Sequence, residues 1–168
     1  HPRDVADMVV ELRRAKARVA AVEAALVDAV DRDRPWTEDN FLTTATWLAA
    51  SDNTAATVAR RTVRFVRRLR TMPATRAALA AGDISEAHAH RLATLNAPDV
   101  AAAFAEAEEF LVGQARSMRW DDFMTATEYW FRHAREDSEP DPDTRDRDHR
   151  KVHLSRGLRG TGVLSGEL

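Results

Sequence analysis

The stretch TWLAASDNTAATVARRTVRFVRRL, residues 46–69, decides the fold of this chain. Apolar residues recur at helical spacing on both sides of a turn cluster, Ser51-Asp52-Asn53-Thr54, which predicts two helices joined by a tight turn. Asn53 lies where such a turn often needs a positive φ, which Asn tolerates. Ala49, four residues earlier, is small enough to let the two helices cross closely. This is helix-turn-helix spacing, in which the second helix is presented to DNA.

The second predicted helix, from about Ala55 to Arg70, has two unlike faces. At about 100° per residue, one arc holds the residues Val58, Thr62, Phe65, Val66 and Leu69. Five arginines fill the opposite arc and are our candidate DNA-binding residues: Arg60, Arg61, Arg64, Arg67 and Arg68. The helix is therefore expected to have an apolar back and an arginine front.

Charge is distributed unevenly along the chain. The net charge is −2, yet the segment between Asn53 and Gly82 carries seven arginines and no Asp or Glu. Without those seven, 18 of the 25 basic residues remain against 27 acidic ones. Clustered cations attract phosphate backbones at short range, so we expect double-stranded DNA as the partner. The alternative is a dimerisation or partner-docking helical scaffold whose arginines are merely solvated and make no direct DNA contact.

The N-terminal segment, from about Arg3 to Asp33, predicts one long helix that ends before Pro35. Its apolar residues are spaced alternately three and four apart: Val5, Met8, Leu12, Ala15, Val19, Val22, Leu26 and Ala29. We call these eight residues the heptad seam. Such a seam is typical of a helix packed on its own domain or of a coiled coil, so a homodimer through residues 5–29 is a possible assembly.

Further helices are predicted after Pro73. A short one ends at Gly82, which can take the left-handed conformation of a helix cap. The next begins after the capping Ser85, and two more follow, up to about Arg135. Together these patterns predict an all-α domain over residues 1–135 with a helix-turn-helix-like centre.

The C-terminal part has a different composition. Residues 136–150, EDSEPDPDTRDRDHR, contain no aliphatic or aromatic side chain and predict a flexible acidic linker. Residues 151–168 alternate weakly in polarity and predict a short β-hairpin, the start of a further segment. No run of about 18 apolar residues could span a membrane, and the first residues lack the apolar core of a signal peptide. We therefore expect no membrane partner and a cytoplasmic location.

No pattern in the chain assigns catalytic chemistry. The sequence has no phosphate-cradling Gly-rich loop, nucleophile elbow or HExxH motif. We therefore assign no catalytic, cofactor-binding or metal-binding residue, and we expect this chain alone not to be an enzyme. His88 is better explained as a capping-turn histidine than as a catalytic one. His149 and His153, near Asp146, are better explained as solvated residues than as metal ligands.

Three motifs in a fixed order carry a family resemblance. They are WLAASDNTAATVARRTVRFVRRL at 47–69, PATRAALAAGDISEAHAHRLA at 73–93, and EPDPDTRDRDHR with KVHLSRGLRGTGVLSGEL at 139–168. Together they resemble the actinobacterial family named domain of unknown function 222. In that family the domain commonly precedes an HNH endonuclease module. The resemblance therefore implies a DNA-targeting domain of an HNH-endonuclease-like protein, with the nuclease role in a part that follows residue 168.

Overall fold

Seven α-helices form the part of the chain that the computed structural model describes, namely residues 1–138 together with two short strands farther on. The helices are α1 (Pro2–Asp33), α2 (Thr44–Ser51), α3 (Ala56–Leu69), α4 (Pro73–Ala81), α5 (Glu86–Leu95), α6 (Ala101–Ser117) and α7 (Trp120–Ser138). Short 3-10 turns, Pro35–Thr37 and Pro98–Val100, follow α1 and precede α6. The all-α class is confirmed. None of these helices has the length and apolar content needed to cross a membrane.

The two strands, β1 (Val152–Arg156) and β2 (Gly162–Gly166), pair antiparallel with Leu154 opposite Leu164. Two strands alone are marginally stable in water, so the hairpin as a stable unit stays a prediction. Helix α7 continues to Ser138, three residues beyond the predicted end of the helical domain at Arg135. The rest of the predicted linker, together with His149, lies outside the described residues.

The apolar core lies between α3, α4, α5, α6 and α7. Its largest fully buried side chains include Leu79, Leu92, Phe104 and Phe123, and Met72 just before α4, while α3 contributes Phe65, Val66 and Leu69. The face of α3 that enters the core differs in one detail from the predicted arc. Val58 is exposed, while Ala59 and Val63 are buried. Helix α3 also contacts α1 and α2, which turns its buried arc toward Ala59 and Val63.

Two turns adopt the backbone that the sequence predicts. Asn53, between α2 and α3, has φ 48°. Gly82, after α4, has φ 78° and caps that helix in the left-handed conformation. Helix α4 lacks a side-chain cap of its own at its start. The buried Glu108 of α6 replaces it, since its carboxylate accepts the backbone N–H of Thr75 at 2.8 Å. A carboxylate is favourable there because the helix N-terminus carries partial positive charge.

Helices α2 to α7 form what we call the helical body. Gly82 also marks a point where α1 meets this helical body. A Cβ placed on Gly82 would lie 3.0 Å from the backbone oxygen of Arg14 and 3.3 Å from its Cβ. Because one neighbour is backbone, little can move aside. Position 82 therefore requires glycine both for its positive φ and for the close approach of α1.

We predict that Gly82→Ala lowers the free energy of unfolding by about 2 kcal/mol, since a left-handed alanine costs roughly 1–2 kcal/mol before any clash is counted. Gly113 provides the matched control. It lies within α6, and a Cβ there would meet nothing within 4 Å. Gly113→Ala should raise the free energy of unfolding by about 0.5–1 kcal/mol, because alanine is the better helix former. Urea unfolding of both variants measures the two effects. Equal effects of the same sign would contradict the account of Gly82.

Candidate nucleic-acid interface

The exposed face of α3 carries three arginines without a partner in the described part of the chain. Arg60, Arg61 and Arg64 are exposed, and among the described residues none of them forms a hydrogen bond or an ion pair. They lie in the helix that follows the α2–α3 turn, on the N-terminal side of Arg67. In helix-turn-helix proteins the N-terminal residues of the second helix contact DNA. These guanidinium groups therefore remain available to an anion from outside the helical body.

Arg67, the fourth candidate, is held by the C-terminal end of α1. Its Nε donates to Oδ2 of Asp31 at 2.9 Å, and its Nη2 donates to Oδ1 at 2.8 Å. Asp31 is buried, whereas the Arg67 side chain remains 57% exposed. This two-point contact fixes the plane of the guanidinium group, as expected for an Arg–carboxylate pair. Arg67 therefore reaches solvent with its orientation already set.

The same carboxylate binds two further groups. Arg70 Nη2 donates to Oδ2 of Asp31 at 2.7 Å, and the hydroxyl of Thr44, the first residue of α2, donates to Oδ1 at 2.6 Å. Arg70 also donates through Nε to Asp28, one turn earlier on α1. One carboxylate thus connects the end of α1, the start of α2 and the second half of α3. We call Asp31, Arg67, Arg70 and Thr44 the Asp31 network.

Electrostatics in the Asp31 network follow from these contacts. The hydrogen bonds from Arg67, assisted by those of Thr44 and Arg70, hold the pKa of Asp31 well below its usual value of 3.8, against the opposing effect of burial. The hydrogen bond to Asp31 raises the pKa of Arg67, and the one to Asp28 raises the pKa of Arg70. The network therefore contains a carboxylate and two guanidinium cations at any physiological pH.

Arg68, the fifth candidate, caps a helix. Its Nη1 donates to the backbone oxygens of Ala93 and Thr94 near the end of α5. The last carbonyls of a helix have no partner within the helix and carry partial negative charge, so a guanidinium group satisfies both needs. Arg68 is half-buried in this position. It connects α3 to α5 rather than extending freely into solvent.

Four of the five candidate arginines line one cleft on this side of the body. The cleft has a volume of about 540 Å³ and is bordered by Arg60, Arg64, Arg67 and Arg68 from α3, with Thr71 and Asn96 nearby. Asn96 Nδ2 donates to the hydroxyl of Thr71 at 3.0 Å, and that hydroxyl donates in turn to the backbone oxygen of Arg68. Guanidinium donors around an open cleft can bind an anion such as a phosphate group. Arg61 lies on the exposed face outside this lining.

Comparison with protein families identifies the chain. The model of the family described as Domain of unknown function (DUF222) matches residues 6–168. The chain belongs to the DUF222 family. This confirms the resemblance that the three sequence motifs indicate. The DUF222 match includes the whole arginine face and both strands. Neither a curated protein nor a solved structure matches the chain significantly.

His88 has a structural role in this DUF222 domain. Its Nδ1 lies 2.7 Å from the hydroxyl of Ser85, and the two residues form a reciprocal capping box at the start of α5. The ring packs against Trp120 and Phe123, with ring centroids 5.1 Å away in both cases. Burial lowers its pKa, so the ring is neutral at physiological pH. The interpretation of His88 as a capping histidine is confirmed. Among residues 1–138 the structure places no three metal-ligating side chains together.

Sequence patterns missed Asp31, which organises this side of the molecule. One signal was present, because Asp28 and Asp31 lie in the last turns of α1, where the helix dipole disfavours negative charge. Acidic residues in such positions need cationic partners. An acid-free, arginine-rich helix elsewhere in the same domain is the natural source of those partners.

We predict that Asp31→Ala lowers the free energy of unfolding at pH 7 by about 2–3 kcal/mol, the range for losing hydrogen bonds to a buried charge when its partners can turn to water. Asp33→Ala is the matched control, since Asp33 ends the same helix, is exposed, and has no ion pair among the described residues. The control should change stability by less than about 0.5 kcal/mol. Urea unfolding of both variants gives the comparison.

The difference between wild type and Asp31→Ala should depend on pH in one direction. Because the folded-state pKa of Asp31 is lowered, the contribution is complete above the usual value of 3.8 and is lost as pH falls toward the folded-state pKa. The two proteins should therefore converge in stability on acidification. A difference that stays constant from neutral pH down to the acid transition would contradict an ionised Asp31 as the source of the stability.

Proposed function

We propose that this chain binds duplex DNA, with the exposed arginine face of α3 against the phosphate backbone. One observation supports this most strongly. Arg60, Arg61 and Arg64 extend from one face of α3 without an acidic partner in the described part of the chain, although the protein as a whole carries more acidic than basic residues. A surface that is cationic within an acidic protein favours a polyanion as the partner.

The geometry of the arginine face suits an extended polyanion better than a small anion. Arg60 and Arg64 are four residues apart, which separates them by about 6 Å along the helix axis. Each DNA strand presents a phosphate about every 3.4 Å along the duplex axis, so a row of guanidinium groups along a helix can contact several phosphates at once. An α-helix also fits the width of the major groove. The cleft beside the row can accept one phosphate more deeply.

The bound arginines support the exposed ones. Arg67 is held by Asp31 and Arg68 by the end of α5, so the second half of α3 is fixed on the helical body. A fixed helix presents Arg60, Arg61 and Arg64 with little loss of backbone freedom on binding, which limits the entropic cost of forming the complex. Arg67 retains an exposed edge and can contribute a further phosphate contact.

The wider role that we propose follows from the family resemblance. In this proposal the chain is the DNA-targeting N-terminal domain of an HNH-endonuclease-like protein from an actinobacterium, and it acts in the cytoplasm. The hydrolytic residues would belong to a module after residue 168, and the predicted hairpin of residues 151–168 would begin the connection to it. The cation distribution on α3 supports the targeting part of this proposal, whereas the nuclease part rests on the resemblance alone.

The alternative is a helical scaffold that docks a partner and makes no direct DNA contact. One observation favours it, since the heptad seam on α1 is exposed and apolar. A seam of this kind explains α1 but leaves the three exposed arginines on α3 unexplained. DNA binding explains those arginines and is compatible with a docking seam elsewhere. We therefore favour the DNA-binding role.

We predict that the triple variant Arg60→Gln, Arg61→Gln, Arg64→Gln binds duplex DNA more weakly and with less dependence on salt. Each lost phosphate contact should flatten the slope of log K against log salt concentration by about 0.9, or about 2–3 for the three together. Fluorescence anisotropy of a labelled duplex across a salt series measures the slope. Thermal unfolding should be nearly unchanged, because these side chains have no partner among the described residues.

A second triple variant controls for net charge alone. Arg3, Arg13 and Arg119 are also exposed and without a side-chain partner in residues 1–138, but they lie away from α3. Changing all three to Gln removes the same charge and should leave the slope within one contact of the wild-type value. Equal losses in both variants would mean diffuse attraction rather than binding by α3. Wild-type protein that does not bind duplex DNA at low salt would contradict the proposed function.

A further inference from the structure

Helix α1 has two opposite faces with different environments. Its C-terminal half packs on the helical body through a row that includes Ala17, Ala21, Ala24, Asp28 and Asp31, all of them buried or half-buried. The heptad seam lies elsewhere. If Val5 is assigned to position a of the heptad, then Ala17, Ala24 and Asp31 fall at position f, which lies opposite the a/d seam. The helix therefore uses its outer f face for its own domain and leaves the a/d face exposed as far as Leu26, with Ala29 half-buried.

The free face is apolar along its full length. Its six large side chains are between 57% and 70% exposed: Val5, Met8, Leu12, Val19, Val22 and Leu26. The seam from residue 5 to residue 29 is about 36 Å long at 1.5 Å per residue. A stripe of that length at alternating three- and four-residue spacing is the surface that a coiled coil buries. Single exposed apolar residues are ordinary, whereas a continuous stripe indicates an interaction surface.

The first half of α1 also needs a partner to be stable. Every residue from His1 to Lys16 is exposed, and the contact nearest the N-terminus that the structure gives with the body is that of Arg14 with Gly82. A helical segment of about 15 residues without tertiary packing is marginal in water. The reciprocal cap between His1 and Asp4 gives only local support. Packing of the seam against another helix would supply the missing stabilisation.

We propose that the heptad seam pairs with the same seam of a second copy of this chain, in a parallel and in-register coiled coil. The charged residues beside the seam indicate which helix pairs with it and whether the two helices run parallel. In the register above, Glu11 and Arg18 take g positions, and Lys16 and Glu23 take e positions. A parallel pair places each g residue beside the e residue of the following heptad on the other helix. Glu11, which pairs with Arg14 on the surface of its own helix, then meets Lys16, and Arg18, whose Nε donates to the backbone oxygen of Ala81, meets Glu23 through its other guanidinium nitrogens.

If the two helices paired antiparallel along their full length, like charges would meet instead of opposite charges. It brings g beside g and e beside e, so that Lys16 meets Lys16 and Arg18 meets Arg18 near the two-fold axis. Lys16 and Glu23 have no ion pair among the described residues, and they are therefore free to pair between copies. Because each helical body sits on the outer f face of its own α1, the two bodies lie on opposite sides of the coiled coil and do not block it.

The test uses the 168-residue chain without DNA, so its outcome is independent of the proposed DNA binding. We expect sedimentation equilibrium at tens of micromolar to give a dimer. The double variant Leu12→Asp, Val19→Asp should be a monomer, because it places charge at two a positions. Val10→Asp is the matched control and should stay dimeric, since Val10 is also an exposed α1 valine but lies on the outer f face. Far-ultraviolet circular dichroism should show a folded helical body in all three proteins.

Cross-linking and charge-reversal variants test whether the two helices run parallel. The chain has no cysteine, so Leu12→Cys introduces a single thiol that should form a disulfide between copies in the parallel dimer. Val10→Cys should not. Lys16→Glu should weaken dimerisation about fivefold to tenfold by opposing Glu11, and adding Glu11→Lys should restore it. In an antiparallel dimer Leu12→Cys would not cross-link, and Lys16→Glu would leave the affinity nearly unchanged.

Three results would overturn the proposal. The first is a monomer for the wild-type chain at tens of micromolar, which would leave the seam to a different partner or to none. The second is a dimer that survives Leu12→Asp, Val19→Asp, which would place the interface elsewhere. The third is a dimer that depends on the seam but forms no disulfide in the Leu12→Cys variant, which would reject the parallel direction.

Discussion

The buried carboxylate of Asp31 is the contact on which the arrangement of this protein most depends. It lies at the end of the longest described helix, where negative charge is unfavourable, and it becomes stable only through the guanidinium groups of α3 and the hydroxyl of Thr44. The same contacts set the positions of α1, α2 and α3. The turn between α2 and α3, with Asn53 at positive φ, then packs the start of α3 against α2, with Arg60, Arg61 and Arg64 exposed. A structural need of α1 therefore determines how α3 is presented.

That carboxylate also divides the arginines of α3 and its C-terminal end into two groups. Arg67 and Arg70 neutralise acidic residues of α1, and Arg68 satisfies the end of α5. Arg60, Arg61 and Arg64 remain free among the described residues. Contacts within the fold engage the cations at the C-terminal end of α3 and leave Arg60, Arg61 and Arg64, which precede them, for an external anion. If two copies join through α1, they carry two such faces on opposite sides of one coiled coil, and a single duplex contacting both would have to bend or span the dimer.

Sequence reasoning succeeded where the signal is local. The all-α class follows from helical spacing, and the backbone at Asn53 and Gly82 follows from turn chemistry. It succeeded less where long side chains reach across the fold. Arg67 meets a carboxylate 36 positions away, and Glu108 caps a helix 33 positions away. The spacing of apolar residues along a helix does not indicate contacts between side chains so far apart in sequence. The exposed Val58 shows a similar limit, since helical spacing gives the width of an apolar arc but not which neighbours cover its edges. Likewise the heptad seam predicts a helix surface without saying whether the domain itself or a second copy covers it.

Heteronuclear NMR of the arginine side chains most directly tests the claim that α3 binds DNA. Titration with a short duplex should shift the Nε–Hε signals of Arg60, Arg61 and Arg64 first and most, because these groups exchange water for phosphate. The signal of Arg67 should shift less, and that of Arg70 should hardly move, since both are bound to Asp31 throughout. Shifts concentrated on the arginines of α1 or α7, with Arg60, Arg61 and Arg64 unchanged at saturation, would contradict the account.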